Sequence, residues 1–214
     1  PGLTIDLYPE ACRAIDGAGH AIAHHGYEHV APGGLSRTEE ASQLERGNEA
    51  IHRISGRYAW DYRSPAWDLS ANSVELLLEH GFVYDSSMMG HDHLPYRMRS
   101  GDIIDAEQGV RFGAETSLVE LPISWSLDDF PHFEWVRSGG LKNTGGVYDN
   151  WLNDFLYMQE NLEDGVLTYT CHPSIIGRGH RMKMLHRLIE RLLELGAKFV
   201  TAETAVAEIE AISI

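Results

Sequence analysis

Short apolar, strand-like runs alternate with amphipathic helical segments along this chain. That alternation restricts it to an α/β architecture assembled from right-handed βαβ units, with a mostly parallel sheet or barrel. The spacing predicts a helix over 180–196, where Met184, Leu185, Leu188, Ile189, Leu192 and Leu193 form one apolar stripe and Gly196 supplies the stop. A second helix is expected over 36–55, because Ser36 and Glu39 have capping-box spacing and Ala41, Leu44, Ile51 and Ile54 share a face. Further helices are expected over 70–80, 8–18, 148–162 and 202–212. Strands are expected over 21–25, 58–62, 82–84, 118–123, 166–171 and 198–201. The stretch 86–146 breaks the alternation. It reads as long irregular loops carrying Tyr96, Trp125, Phe130, Phe133 and Trp135, the composition of an active-site excursion. With no repeat and no linker-like tract, a single domain is expected.

At 214 residues the chain is long enough to bury a core without disulfide staples. Its 17 Lys+Arg against 32 Asp+Glu give a formal charge of −15, which argues against nucleic acid or an anionic membrane as partner. No apolar run approaches the roughly 18 residues of a membrane span. The two cysteines, Cys12 and Cys171, have no C-x-x-C neighbour and read as free thiols. Histidine is the oddity. There are 12, and His20, His24, His25 and His29 crowd into ten residues. Such clustering beside acidic residues points first to metal-assisted hydrolysis.

Four constellations carry the chemistry. His25-Gly26-Tyr27-Glu28-His29 sets two imidazoles four residues apart, a spacing that reaches one ion from a helix face or from a strand end and its loop. A polar surface turn is the alternative. The same string fits the H-x-x-E-H signature of inverted zinc proteases, which requires a helix. Gly26 inside it, and Pro32 shortly after, cost a helix about 1 and 3 kcal/mol, so a strand running into a loop is expected. Arg63-Ser64-Pro65-Ala66-Trp67 follows a strand; its arginine can orient a carboxylate and its tryptophan can wall a pocket. Thr170-Cys171-His172-Pro173 ends another strand, and the proline fixes His172 at the strand mouth, where parallel α/β folds place catalytic groups. Alternation points Cys171 away from the face that His172 uses. Trp125-Ser126-Leu127-Asp128-Asp129-Phe130 offers two carboxylates among aromatics, either site residues or loop caps.

In order, these elements resemble the polysaccharide deacetylase superfamily (carbohydrate esterase family four), from Gly19 to about Thr201. The closest likeness is to its cytoplasmic branch of imidase-like, allantoinase-like and peptidoglycan-deacetylase-like proteins. The resemblance implies a distorted seven-stranded (β/α) barrel as one domain over 1–214, and a divalent ion, zinc before cobalt, manganese or nickel. It implies His25 and His29 as metal ligands, Arg63 as the group steadying a catalytic aspartate and His172 as general acid. Trp67, Trp125, Asp129 and Phe130 would line the substrate pocket. The family's first motif, with its aspartates as third ligand and base, has no match after Pro1, since Asp6 reads as loop and Asp16 as helix. Pro1-Gly2 reads as the end of the second strand, so the first strand and its aspartates are expected before Pro1; the alternative is that the protein has lost its base and third ligand.

The expected reaction is hydrolysis of a non-peptide C–N bond. Metal held by His25 and His29 would polarise the carbonyl and acidify water, an upstream carboxylate held by Arg63 would act as base, and His172 would protonate the leaving nitrogen. The substrate is an N-acetyl sugar or, alternatively, a small cyclic imide or ureide. A metal-poor sugar-binding relative is the non-enzyme alternative. A cytoplasmic protein without nucleic-acid or membrane partners, with a homo-oligomer allowed, completes the expectation.

Overall fold

A computed structural model describes residues 1–134 and 142–212 of the chain; Trp135 lies outside the described residues. In chain order the helices and strands are α1 (Gly2–Leu7), α2 (Pro9–Gly17), α3 (Arg37–Ser55), β1 (Asp61–Tyr62), α4 (Ser73–Glu79) and β2 (Tyr84–Asp85). There follow β3 (Tyr96–Ser100), β4 (Ile103–Asp105), β5 (Gly109–Arg111), β6 (Ala114–Glu120) and α5 (Asp129–Phe133). Then come α6 (Thr144–Asn161), α7 (Pro173–Ile176), α8 (Gly179–Glu194) and α9 (Ala202–Ile212). They form two compact units, one of Pro1–Met88, Pro95–Leu121 and Thr201–Ile214, the other of Met89–Leu94 and Pro122–Val200.

The first unit holds a mixed sheet of order β1-β2-β6-β3, in which β1, β2 and β6 run parallel and β3 pairs antiparallel to β6 at the edge. Its core is Leu44, Ile51, Tyr62, Leu76, Leu77, Phe82, Met98 and Leu118. Helix α3 begins as its sequence dictates. Ser36 accepts from the Glu39 backbone N–H while the Glu39 carboxylate accepts from the Ser36 N–H, and Gly56 ends the helix in the left-handed region. Inside α3, Gly47 lets the buried His24 ring lie against the helix backbone. A Cβ at 47 would stand 2.2 Å from His24 Nε2, which bonds the Leu44 carbonyl at 3.0 Å.

Several expectations need correcting. Pro1-Gly2 does not end a strand: α1 starts at Gly2, its first N–H groups bond the Gly26 and Tyr27 carbonyls, and Asp6 sits within it. The run 58–62 joins the ladder only at Asp61, because the Ala59 N–H is taken by Asn48 Oδ1 at 2.8 Å. Residues 21–25 and 166–171 contribute one parallel bridge each, His24 to Tyr62 and Thr170 to Asp128. The run 198–201 forms no strand among the described residues, and its Thr201 carbonyl instead opens α9. The stretch 86–146 is more regular than its composition suggests. β3 and β6 pair across it and β4–β5 forms a hairpin, with Met98 turned inward while Arg97 and Arg99 face out to the Ser117 carbonyl and Glu115. A strand with one inward apolar residue between two arginines lacks the apolar alternation that marks strands in sequence, and suits a charged sheet edge.

The second unit packs α6 on α8 around Trp151, Phe155, Leu188 and Leu192. Burying a leucine such as Leu188 or Leu192, each 1% exposed, stabilises by about 1.5–3 kcal/mol. Trp151 Nε1 donates to the Ser126 carbonyl at 2.9 Å and its own carbonyl accepts from the Tyr169 hydroxyl at 2.9 Å. Those two bonds tie the 125–127 turn and the 166–171 segment to α6.

Candidate functional site

In the first unit, residues 25–29 are not helical, as Gly26 and Pro32 lead one to expect, and this removes the helix that an inverted zinc protease requires. Gly26 has φ +65° and His29 φ +59°. Ala66 and Trp67 take φ +56° and +54°, so the non-glycine residues in the left-handed region, among those described, all fall in the two motif segments. Such strain costs of order 1–3 kcal/mol per residue and gathers where geometry serves function. The His25 and His29 rings meet edge to face with centroids 4.8 Å apart. His25 Nδ1 bonds the Arg63 backbone carbonyl at 2.6 Å, which fixes the Nδ1–H tautomer and leaves Nε2 as a lone-pair donor. Metal-binding histidines use that arrangement. Burial, ahead of the opposing Arg63 carbonyl bond, lowers the His25 pKa to about 4, so the ring is neutral as a ligand must be. With the His25 ring fixed by that bond and the His29 ring beside it, the pair could offer an ion two imidazole nitrogens and leave it further coordination positions.

The Arg63 side chain is itself fixed. Nε donates to the Ser86 carbonyl at 2.9 Å and Nη2 to Ser86 Oγ at 2.7 Å. Trp67 is half-buried on the turn that follows.

In the second unit, Asp129 is fully buried and holds His172 twice: Oδ2 accepts the His172 backbone N–H at 2.9 Å and Oδ1 pairs with Nδ1 at 2.7 Å. The His172 side chain is 43% exposed, and its Nε2 is not the atom that Asp129 holds. Phe130 lies beside it, ring centroids 5.9 Å apart, and both Phe130 and Trp125 are exposed. Asp129, expected to line the pocket, is bonded to the imidazole. The ligand atoms of Asp128, Asp129 and His172 lie within 4.8 Å of one another, a spacing that admits a metal. Their protein bonds argue otherwise: Asp129 and His172 bond each other, and Asp128 Oδ1 caps α5 by accepting the Phe130 N–H at 2.6 Å. The donor set fits an oriented acid–base imidazole better than an ion. Burial pushes the adjacent Cys171 thiol up to about 12, which leaves it unreactive near neutrality.

Residues 2–84 match the family model for polysaccharide deacetylase. The chain is also 31% identical to a peptidoglycan deacetylase of Helicobacter pylori, across 94% of this chain and 74% of that one. The chain belongs to the polysaccharide deacetylase family. A crystal structure of a protein assigned as a polysaccharide deacetylase from Mycobacterium smegmatis superposes with a TM-score of 0.83 at 32% identity, covering 100% of this chain and 71% of that one. An allantoinase shares the fold at a TM-score of 0.77 and 19% identity, over 97% of this chain and 64% of its own. Among the described residues of this deacetylase-family chain, no helix is long and apolar enough to cross a membrane.

The sequence did not single out Asp85 and Glu120. Both are fully buried at the ends of parallel strands β2 and β6 and paired in register. The signal was present, since each is an acid closing an otherwise apolar strand, Phe82-Val83-Tyr84-Asp85 and Leu118-Val119-Glu120.

Proposed function

We propose that this protein is a metal-dependent hydrolase of a non-peptide amide bond that removes N-acetyl groups from the sugars of a glycan. The observation that carries the reading is the Asp129–His172 pair. A buried carboxylate holding both the backbone N–H and Nδ1 of one histidine fixes its ring and leaves Nε2 unused by Asp129. A protonated Nε2 then gives its proton to the departing sugar nitrogen, and the imidazolium is stabilised by the Asp129 charge until it does so. His25 and His29 would hold the ion, the first with its tautomer set by the Arg63 carbonyl. When bound, zinc or a similar divalent ion supplies Lewis-acid polarisation of the acetyl carbonyl and a more acidic water. Arg63, clamped on Ser86, offers a fixed positive charge to orient a carboxylate base. In the second unit the exposed Trp125 and Phe130 give apolar faces on which a sugar ring can stack, and in the first unit Trp67 offers another. The proposal carries with it the distorted (β/α) barrel of the family, supported by the parallel run of β1, β2 and β6. A glycan substrate is further supported by the family and by the peptidoglycan deacetylase relative.

The test is turnover by full-length protein on an N-acetylglucosamine oligomer and on a small cyclic imide, side by side. Acetate release with the imide left intact is the expected result. Imide opening without acetate release would overturn the sugar assignment, and neither activity in metal-loaded protein would overturn the enzyme reading.

A further inference from the structure

The buried acids Asp85 and Glu120 have a bonding pattern that demands one more hydrogen. Parallel pairing sets their Cα positions opposite each other, so both side chains leave the same face of the sheet. Asp85 Oδ1 accepts from the Ser87 hydroxyl at 2.7 Å, and Glu120 Oε1 accepts from the backbone N–H groups of Ser87 and Met88 at 2.9 and 2.8 Å. Asp85 Oδ2 and Glu120 Oε2 have no donor among the described residues, although the two carboxyl groups are within hydrogen-bond reach of each other. Two orphaned, fully buried carboxylate oxygens side by side are disfavoured both by desolvation and by like-charge repulsion. One hydrogen between them satisfies both.

What this pair grips is the turn that holds Arg63. Ser87 Oγ, donating to Asp85, accepts the Ser64 N–H at 2.8 Å. Ser86 Oγ, one residue away, accepts from Arg63 Nη2 and donates to the Leu121 carbonyl at 2.9 Å. We propose that Asp85 and Glu120 share a single proton, and that the resulting monoanionic pair is a positioning element that locks residues 86–88 and, through Ser86, the Arg63 guanidinium. The significance of Arg63 rests on the function proposed above; the proton sharing does not. Arg63 is the cation whose charge acts on Asp85, and the Tyr62 phenol is another titratable group that feels that carboxylate. Burial raises both acids, and the Asp85 charge raises Glu120 further, in keeping with one retained proton.

Infrared spectroscopy at pH 7 and NMR hydrogen exchange at Arg63 Nε–H test the inference on full-length protein. A carboxylic-acid carbonyl band is expected in the wild type and is expected to vanish in both Glu120→Gln and Asp85→Asn, because each new amide donates where the acid did. Arg63 Nε–H exchange should stay within threefold in Glu120→Gln. In Glu120→Asp, which withdraws the carboxyl by one methylene, it should quicken at least tenfold. A wild-type spectrum unchanged by Glu120→Gln would mean that no proton is shared there. Unchanged Arg63 exchange in Glu120→Asp would overturn the positioning role. Neither readout uses turnover, so a protein inactive on glycans would leave this inference to stand or fall by itself.

Discussion

Gly47→Ala is a substitution for which helix propensity and packing predict opposite signs. Position 47 lies in the interior of α3, where replacing Gly by Ala ordinarily stabilises by about 1 kcal/mol. Here the new methyl would stand 2.2 Å from His24 Nε2 and 2.8 Å from its Cε1. An ordinary contact is at least about 3.4 Å, so the ring or the helix must move by about 1 Å. His24 is completely buried, with Tyr62 and Phe82 at 5.4 Å between ring centroids, and has no free direction. Overpacking of this kind costs about 1–3 kcal/mol. Breaking the His24–Leu44 bond adds about 1–3 kcal/mol for a buried group left unpaired. After the propensity gain is subtracted, a loss of about 1–5 kcal/mol remains, and a fall in Tm of roughly 2–4 °C for each kcal/mol in a chain of this size. Thermal unfolding followed by circular dichroism measures it. A Gly47→Ala protein with unchanged or raised Tm would refute the packing argument and with it the placement of the 24–26 segment that carries His25.

Two further outcomes follow from the site. Asp129→Asn keeps the shape but loses the carboxylate that pairs with Nδ1; a charge-assisted bond of about 1.5–3 kcal/mol corresponds to a roughly ten- to hundredfold fall in kcat with little change in KM, checked by steady-state kinetics. Cys171, with its thiol raised to about 12 by burial and by the Asp129 and Asp128 charges, should alkylate far more slowly than a free thiol at pH 8 in native protein and rapidly in denaturant, as mass spectrometry would read.

The helices were legible because their signals are local. The Ser36–Glu39 box and the stripe of 184–193 act within a few residues, and the structure forms α3 and α8 there; the short α7 that starts at Pro173 was not among the expected helices. Strands were legible in position more than in extent, because ladder length depends on partners remote in sequence. Asn48 decides where β1 begins, and Arg97 and Arg99 disguise β3. For the candidate site, the residue types of His25, His29, Arg63 and His172, and the place of Arg63 just after a strand, could be read from spacing. What Asp129 touches could not, since it depends on a bond across 43 residues. Nor could the Asp85–Glu120 pairing, which exists only through the register of β2 and β6.

The central claim is that His25 and His29 hold an ion on which acetate release depends. Calorimetric titration of zinc into chelator-stripped full-length protein, with acetate release measured on the same samples, tests it most directly. The account predicts that wild type binds zinc and regains activity, and that His25→Ala loses both together. A His25→Ala protein that binds zinc as tightly as wild type and releases acetate at the same rate would contradict it.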